Sequence, residues 1–246
     1  MFTAEDRGRL RDELVSAARV DVRISAAALI GSSALGREDR WSDIDLALCF
    51  TSDADRTQAI ADWTDRMYGE HAASHHLDVT RGETVYRVFL LSSTLQVDVS
   101  FWAQAEFGAI GPGFRLLFGT AANPLTAAAP TAVELVGMGW LYALHARSSI
   151  ARGRVWQAEY MISAMRDQVL ALACLRHGVP AVEARGMDSL PLEATVAVGP
   201  ALVRSLDIPE LKRAFAAITE ALLAETERTD PGLADRLTGP LKELAS

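Results

Sequence analysis

The residues best suited to chemistry in this sequence are two aspartates at the start of an apolar stretch. Asp43 and Asp45 alternate with Ile44 and Leu46. Because side chains alternate between the two faces of a strand, both carboxylates are predicted on one face and the apolar side chains on a buried face. Two neighbouring carboxylates repel each other unless a cation lies between them, and hard oxygen ligands suit Mg²⁺. The pair therefore predicts a metal site at the start of a strand.

A third aspartate lies on a second stretch with the same alternation. Apolar side chains occupy every other position from Leu95 to Phe101, and Asp98 lies between them. Asp98 is therefore predicted on the polar face of a strand whose other face is buried. If this strand neighbours the first one, three carboxylates converge. Three negative charges can hold two divalent ions, which also neutralise a triphosphate.

A glycine and a serine follow the apolar stretch that precedes the first two aspartates. Gly31 allows a phosphate to approach the backbone closely, and free N–H groups at such a turn bind anions. Ser32 adds a hydroxyl donor, and ten residues separate it from Asp43. That distance lets the chain loop back, so that a phosphate site and a metal site can lie together.

Two arginines lie in the segment between the turn and the aspartates. Arg37 and Arg40 could each contact the triphosphate of a nucleotide. The alternative is that both are solvated loop charges beside Glu38 and Asp39. The sequence leaves these two interpretations open.

Taken together, these residues resemble a known superfamily. Gly31-Ser32, a ten-residue gap, Asp-Ile-Asp at 43–45 and a later strand aspartate at 98 resemble the nucleotidyltransferases that include DNA polymerase β. The fuller motif is similar to the small-molecule branch, which includes aminoglycoside and lincosamide nucleotidyltransferases and the minimal nucleotidyltransferases of toxin–antitoxin pairs. The resemblance covers residues 28–50 and 95–102.

The resemblance implies transfer of a nucleoside monophosphate, AMP from ATP or the equivalent from another NTP, to an acceptor hydroxyl. It implies two Mg²⁺ ions, one held mainly by Asp43 and Asp45 and a second shared with Asp98. Gly31 and Ser32 would contact the nucleotide, as would the two loop arginines. The implied acceptor is a small hydroxylated molecule such as an aminoglycoside or lincosamide antibiotic. The alternatives are an antitoxin-type enzyme that adenylylates a protein and a catalytically silent nucleotide-binding module.

The elements that must position these residues are of mixed type in the first half of the chain. The predicted strands are 24–30, 44–50, 77–80, 84–91 and 95–102, with helices at 4–18 and 55–69. Glycines and prolines between 103 and 130 are expected to interrupt regular structure, and everything after Thr131 reads as helix. The fold class is therefore α+β, with a mixed sheet flanked by helices followed by an all-α helical bundle. The expected domains are 1–125, which is catalytic, and 126–246, which binds the acceptor.

The helix predicted at 155–177 has an apolar face and an opposite polar face. Glu159 and Asp167 lie on the polar face and could bind a cationic acceptor. The alternative is a solvated face, in which Ser163 pairs with Asp167 or Glu159 pairs with Arg166.

Composition narrows the class of partner. The chain has 246 residues, half of them apolar, with 32 acidic and 24 basic residues and a net charge of -8. Such an acidic chain is not expected to bind long nucleic acid. Cys49 and Cys174 fit no metal-site spacing and are expected to be buried free thiols. No signal peptide and no membrane span is predicted, so the expected location is the cytoplasm.

Overall fold

The computed structural model describes residues 1–52, 56–109, 111, 113–122 and 129–246. The chain divides into two compact units, Met1–Ala127 and Ala128–Ser246. Each unit has a hydrophobic core of its own. The division expected from sequence, between residues 125 and 126, lies outside the described residues.

The first unit is built on one six-stranded sheet. The elements of this unit, in chain order, are α1 (Ala4–Val20), β1 (Ile24–Ile30), α2 (Gly31–Ala34), β2 (Ile44–Phe50), α3 (Arg56–Glu70), β3 (Ala73–Arg81), β4 (Thr84–Leu91), β5 (Gln96–Trp102) and β6 (Phe114–Phe118). The strand order in the sheet is β3-β4-β5-β2-β1-β6. Strands β2 and β5 run parallel, and the other neighbouring strands run antiparallel. Parallel neighbours need a crossover, which here consists of α3 and the β3–β4 hairpin.

One face of the sheet is covered by α1 and α3. Leu14 of α1 and Trp63 of α3 belong to the same buried cluster as Ile44 and Leu46 of β2. The buried face predicted for β2 from its alternating residues is therefore confirmed. A separate cluster lies on the opposite face, and it contains Cys49, Trp102 and Phe107.

The predicted bounds of β1, β2 and β4 agree with the structure. The prediction that residues 103–130 lack regular structure is wrong, because β6 lies there and pairs with β1. Its flanking glycine, Gly119, allows close contact, since a Cβ at that position would lie 2.3 Å from the Ser25 carbonyl oxygen. The glycine thus permits strand pairing where the sequence suggested an interruption. Pro112 and Pro124 lie outside the described residues.

Residues 129–246 of the second unit form helices and the turns and loops that connect them, and these residues include no strand. The helices are α4 (Ala132–Ala151), α5 (Val155–His177), α6 (Leu192–Thr195), α7 (Ile208–Thr229) and α8 (Pro231–Leu244), with short 3-10 turns at Met187–Ser189 and Gly199–Ala201. Gly178 ends α5 with φ +67°, as its position after the helical pattern predicts. With this unit the predicted α+β class, a mixed sheet followed by a helical region, is confirmed.

Two smaller expectations also meet the structure. Cys49 and Cys174 are both buried and free, as predicted. Among the helices of the described ranges, none combines the length and apolarity that crossing a bilayer requires.

Candidate metal and nucleotide site

The three aspartates lie together on one face of the sheet. Asp45 and Asp98 are direct partners in the parallel β2–β5 pair, and Asp43 lies two residues before Asp45. One carboxylate oxygen from each of the three residues lies within 4.8 Å of the others. All three side chains are half-buried. The structure therefore brings together residues that are 53 positions apart in the chain, Asp45 and Asp98.

A glutamine that the sequence reasoning missed joins two of these carboxylates. The Gln96 Nε2 group donates to Asp98 Oδ1 at 3.0 Å and to Asp43 Oδ2 at 3.3 Å. Gln96 precedes Asp98 by two residues on the same strand, so the alternation that pointed to Asp98 also contained the signal for Gln96. Its amide holds the two carboxylates in a fixed relation.

Burial raises the pKa of Asp98 to about 6, the bond from Gln96 counteracts part of this rise, and the charge of Asp43 adds to it. In the absence of a cation, the neighbouring charge of Asp43 disfavours the ionised form of Asp98. This is the electrostatic situation that a bound divalent ion would relieve.

We expect Asp98→Asn to raise the melting temperature of the metal-free protein at pH 8. The pKa of Asp98 is about 6 in the native state, above its ordinary value of 3.8, so between these two values the native state binds more protons than the unfolded state. The free energy of unfolding therefore falls as pH rises through this window, and the loss is complete above pH 6. Each kcal/mol recovered raises Tm by about 2–4 °C in a chain of this size.

Melting curves in EDTA at pH 5 and pH 8 measure this effect. Asp65→Asn is the control, because Asp65 is an exposed acid on α3 of the same unit. Equal Tm values for wild type and Asp98→Asn at pH 8 would contradict the prediction.

Gly31 packs directly against Asp45. It has φ +64°, and a Cβ at this position would lie 2.5 Å from Asp45 Oδ2. Its N–H donates to the Gly113 carbonyl at 3.0 Å, so this N–H is already engaged. Gly31 therefore supports the carboxylates through its lack of a side chain rather than through its own amide.

Ser32 lies in the first turn of the short helix α2, and its carbonyl accepts a bond from the Arg37 N–H at 2.9 Å. The loop that follows is tied to α1. Glu38 pairs with Arg11 at 2.9 Å, and the side chain of Arg7 bonds the Asp39 carbonyl. These contacts fix the path of the chain from the turn to the aspartates.

The two loop arginines occupy different positions. The Arg40 guanidinium lies 4.3 Å from the centre of the exposed Trp41 ring. Arg40 also lines a cavity of about 350 Å³ together with Asp43 and Gln96. Arg37 is exposed, and it is absent from the described residues that line this cavity. Arg40 thus lines the cavity beside Asp43, whereas Arg37 is an exposed loop residue outside that lining.

Glu159 and Asp167 lie on α5 in the second unit. The Ser163 hydroxyl donates to Glu159 at 2.7 Å, and Arg166 donates to Asp167 at 3.1 Å. The alternative drawn from the sequence paired Ser163 with Asp167 or Glu159 with Arg166, and these partners are wrong. Both acids therefore have local partners on their own helix.

Comparisons with known proteins add two distant likenesses. No family model matches the chain, and no curated protein matches it. It is similar to the crystal structure of an aminoglycoside 6-adenyltransferase from Bacillus subtilis, with 12% identity, 99% of both chains covered and a TM-score of 0.43. It is also similar to the polymerase core of TRAMP, an RNA surveillance complex, with 16% identity, 100% of this chain and 84% of that chain covered, and a TM-score of 0.34.

Proposed function

We propose that this protein is a Mg²⁺-dependent nucleotidyltransferase that moves a nucleoside monophosphate, AMP from ATP, to a hydroxyl of a small molecule. The observation that supports this most strongly is the convergence of Asp43, Asp45 and Asp98 within 4.8 Å. If Asp43 and Asp45 were only solvated acids at the start of β2, the site would need no third acid directly opposite Asp45. Nor would it need a glycine packed against the same carboxylate.

The donor set fits Mg²⁺. All three groups offer hard carboxylate oxygens and are half-buried, and a charge as desolvated as that of Asp98 favours a bound cation. Asp43 and Asp45 would hold one ion, and Asp98 would share a second. Bound there, the ions would neutralise the triphosphate and the leaving pyrophosphate and would lower the pKa of the acceptor hydroxyl.

The chain's own residues would supply position and a proton acceptor. Asp98 would receive the proton of the acceptor hydroxyl, because its carboxylate belongs to the same cluster as the two acids that would hold the first ion. Gln96 would hold Asp43 and Asp98 in register with each other. Displacement at phosphorus is mostly positioning and charge neutralisation, so such fixed geometry accounts for much of the rate.

The nucleotide side is proposed to include Ser32 and Arg40, with Gly31 close to the phosphates and Arg37 at the loop surface. Arg40 is the better supported of the two arginines, because it lines the cavity beside Asp43. On the acceptor side, Glu159 and Asp167 remain candidates for binding a basic group. A net charge of -8 favours a small acceptor over long nucleic acid.

The test is a transfer assay with ATP labelled at the α-phosphate, Mg²⁺, and a panel of aminoglycosides and lincosamides. We expect labelled small products together with released pyrophosphate, and no product in EDTA. Label that appears only on protein would favour the antitoxin-type alternative. No consumption of any NTP with metal present would favour the catalytically silent nucleotide-binding module.

A further inference from the structure

The face of the sheet that carries Asp98 continues outward onto β4. In the antiparallel β4–β5 pair, Val88 lies opposite Asp98 and Leu90 lies opposite Gln96. Residues directly opposite each other in a sheet point to the same face. Val88 and Leu90 therefore point to the same side as the carboxylates.

The same face extends onto the edge strand β3. Leu77 lies opposite Val88, and Val79 lies opposite Tyr86. Leu77 is 62% exposed, Leu90 52% and Val79 41%, and Val88 is half-buried. We call Leu77, Val79, Val88 and Leu90 the apolar strip. It begins at the residue beside Asp98 and runs to the edge of the sheet.

The other face of the β3–β4 hairpin, which does not carry the strip, makes contacts with α3. Tyr68 of α3 bonds His76 of β3 at 2.9 Å, and Arg87 of β4 pairs with Asp78 at 2.6 Å. Arg87 also bonds Thr64 of α3. Helix α3 thus covers one side of β3 and β4 and leaves the side of Asp98 open.

The in-line arrangement of the reacting oxygens indicates from which side of the carboxylates the acceptor would approach. In displacement at phosphorus the attacking and leaving oxygens lie roughly in line. Gly31, at the turn proposed for the triphosphate, lies on the β1 side of the carboxylates, and Asp98 lies on β5 at their other side. The attacking hydroxyl would then approach from the β4 side, above the strip.

We propose that the apolar strip binds the acceptor, and that the acceptor is accordingly a hydroxylated molecule with an apolar face rather than a polycation. This inference rests on the proposed nucleotidyl transfer. The four side chains of the strip are aliphatic, and Tyr86 and His75, which lie opposite Val79 and Leu90 on the same face, carry no carboxylate. A polycation laid on the strip would therefore lose hydration without gaining a negatively charged partner there. A molecule with an alkyl or other apolar face would instead remove exposed aliphatic surface from water.

The experiment compares wild type with Leu77→Thr/Leu90→Thr in the transfer assay, with a lincosamide as the amphipathic probe and an aminoglycoside as the polycation. Threonine keeps the strand propensity while it removes apolar surface. We expect transfer to the lincosamide, with a KM for that acceptor raised roughly ten-fold or more in the double variant. The KM for ATP and the melting temperature should stay close to wild type.

Val22→Thr is the matched control, because Val22 is 91% exposed and lies outside the strands of the strip. If wild type labels an acceptor and the double variant leaves its KM unchanged, the strip does not bind the acceptor, although the proposed transfer stands. Transfer to the aminoglycoside alone would also overturn the inference. If wild type labels neither probe, the proposed function and the inference both fail for these acceptors.

Discussion

Asp45→Asn should abolish most of the transfer activity while it leaves the fold intact. Asp45 is the central acid, since Asp43 lies two residues before it and Asp98 lies opposite it in the β2–β5 pair. Loss of a group that merely orients a metal ligand costs about 10–100-fold, so loss of the ligand itself should cost more. Turnover at saturating ATP, measured over a range of Mg²⁺ concentrations, gives the size of the effect.

Asp43→Asn should give a loss of the same kind, because that carboxylate belongs to the same cluster. Asp65→Asn removes one charge from the same unit at an exposed position and should have little effect. Near-normal turnover from both purified site variants would defeat the metal assignment.

Gly31→Ala should remove activity even though it adds a single methyl group. The new Cβ would lie 2.5 Å from Asp45 Oδ2, so the carboxylate must move. The backbone at this position has φ +64°, which costs a residue with a Cβ about 1–2 kcal/mol. We therefore expect a fall in the free energy of unfolding in urea together with loss of turnover.

Gly36→Ala separates these two effects. Gly36 has φ +65°, and a Cβ there would have nothing within 4 Å. The control should show a similar backbone penalty and keep its activity. Equal turnover in the two variants would show that Gly31 does not position Asp45.

Local pattern was sufficient to predict much of the fold. β1 and β2 are buried apolar runs with clear ends, and α5 is bounded by glycines, so their bounds followed from residue types alone. β6 was missed because it is a five-residue edge strand between Gly113 and Gly119. Its pairing with β1 is a long-range contact, and local propensity carries little signal for such contacts.

In the candidate site, too, local pattern predicted some features and failed for those that depend on long-range strand pairing. Alternation predicted which face each aspartate occupies, but it could not predict that β2 and β5 are neighbours, because α3 and a hairpin separate them in sequence. Arg37 and Arg40 looked equivalent in the sequence. They differ in the fold because Arg7 and Arg11 of α1 fix the loop at Glu38 and Asp39, which lie between the two arginines.

The site depends on the register in which β2 pairs with β5, because that register places Asp45 opposite Asp98. A shift of one residue between these strands would turn Asp98 toward the packed side, since side chains alternate. Such a misaligned chain could keep its helices and much of its sheet, and yet be inert. Catalytic competence would therefore act as a sensor of strand alignment, one that reports misfolding which circular dichroism would overlook.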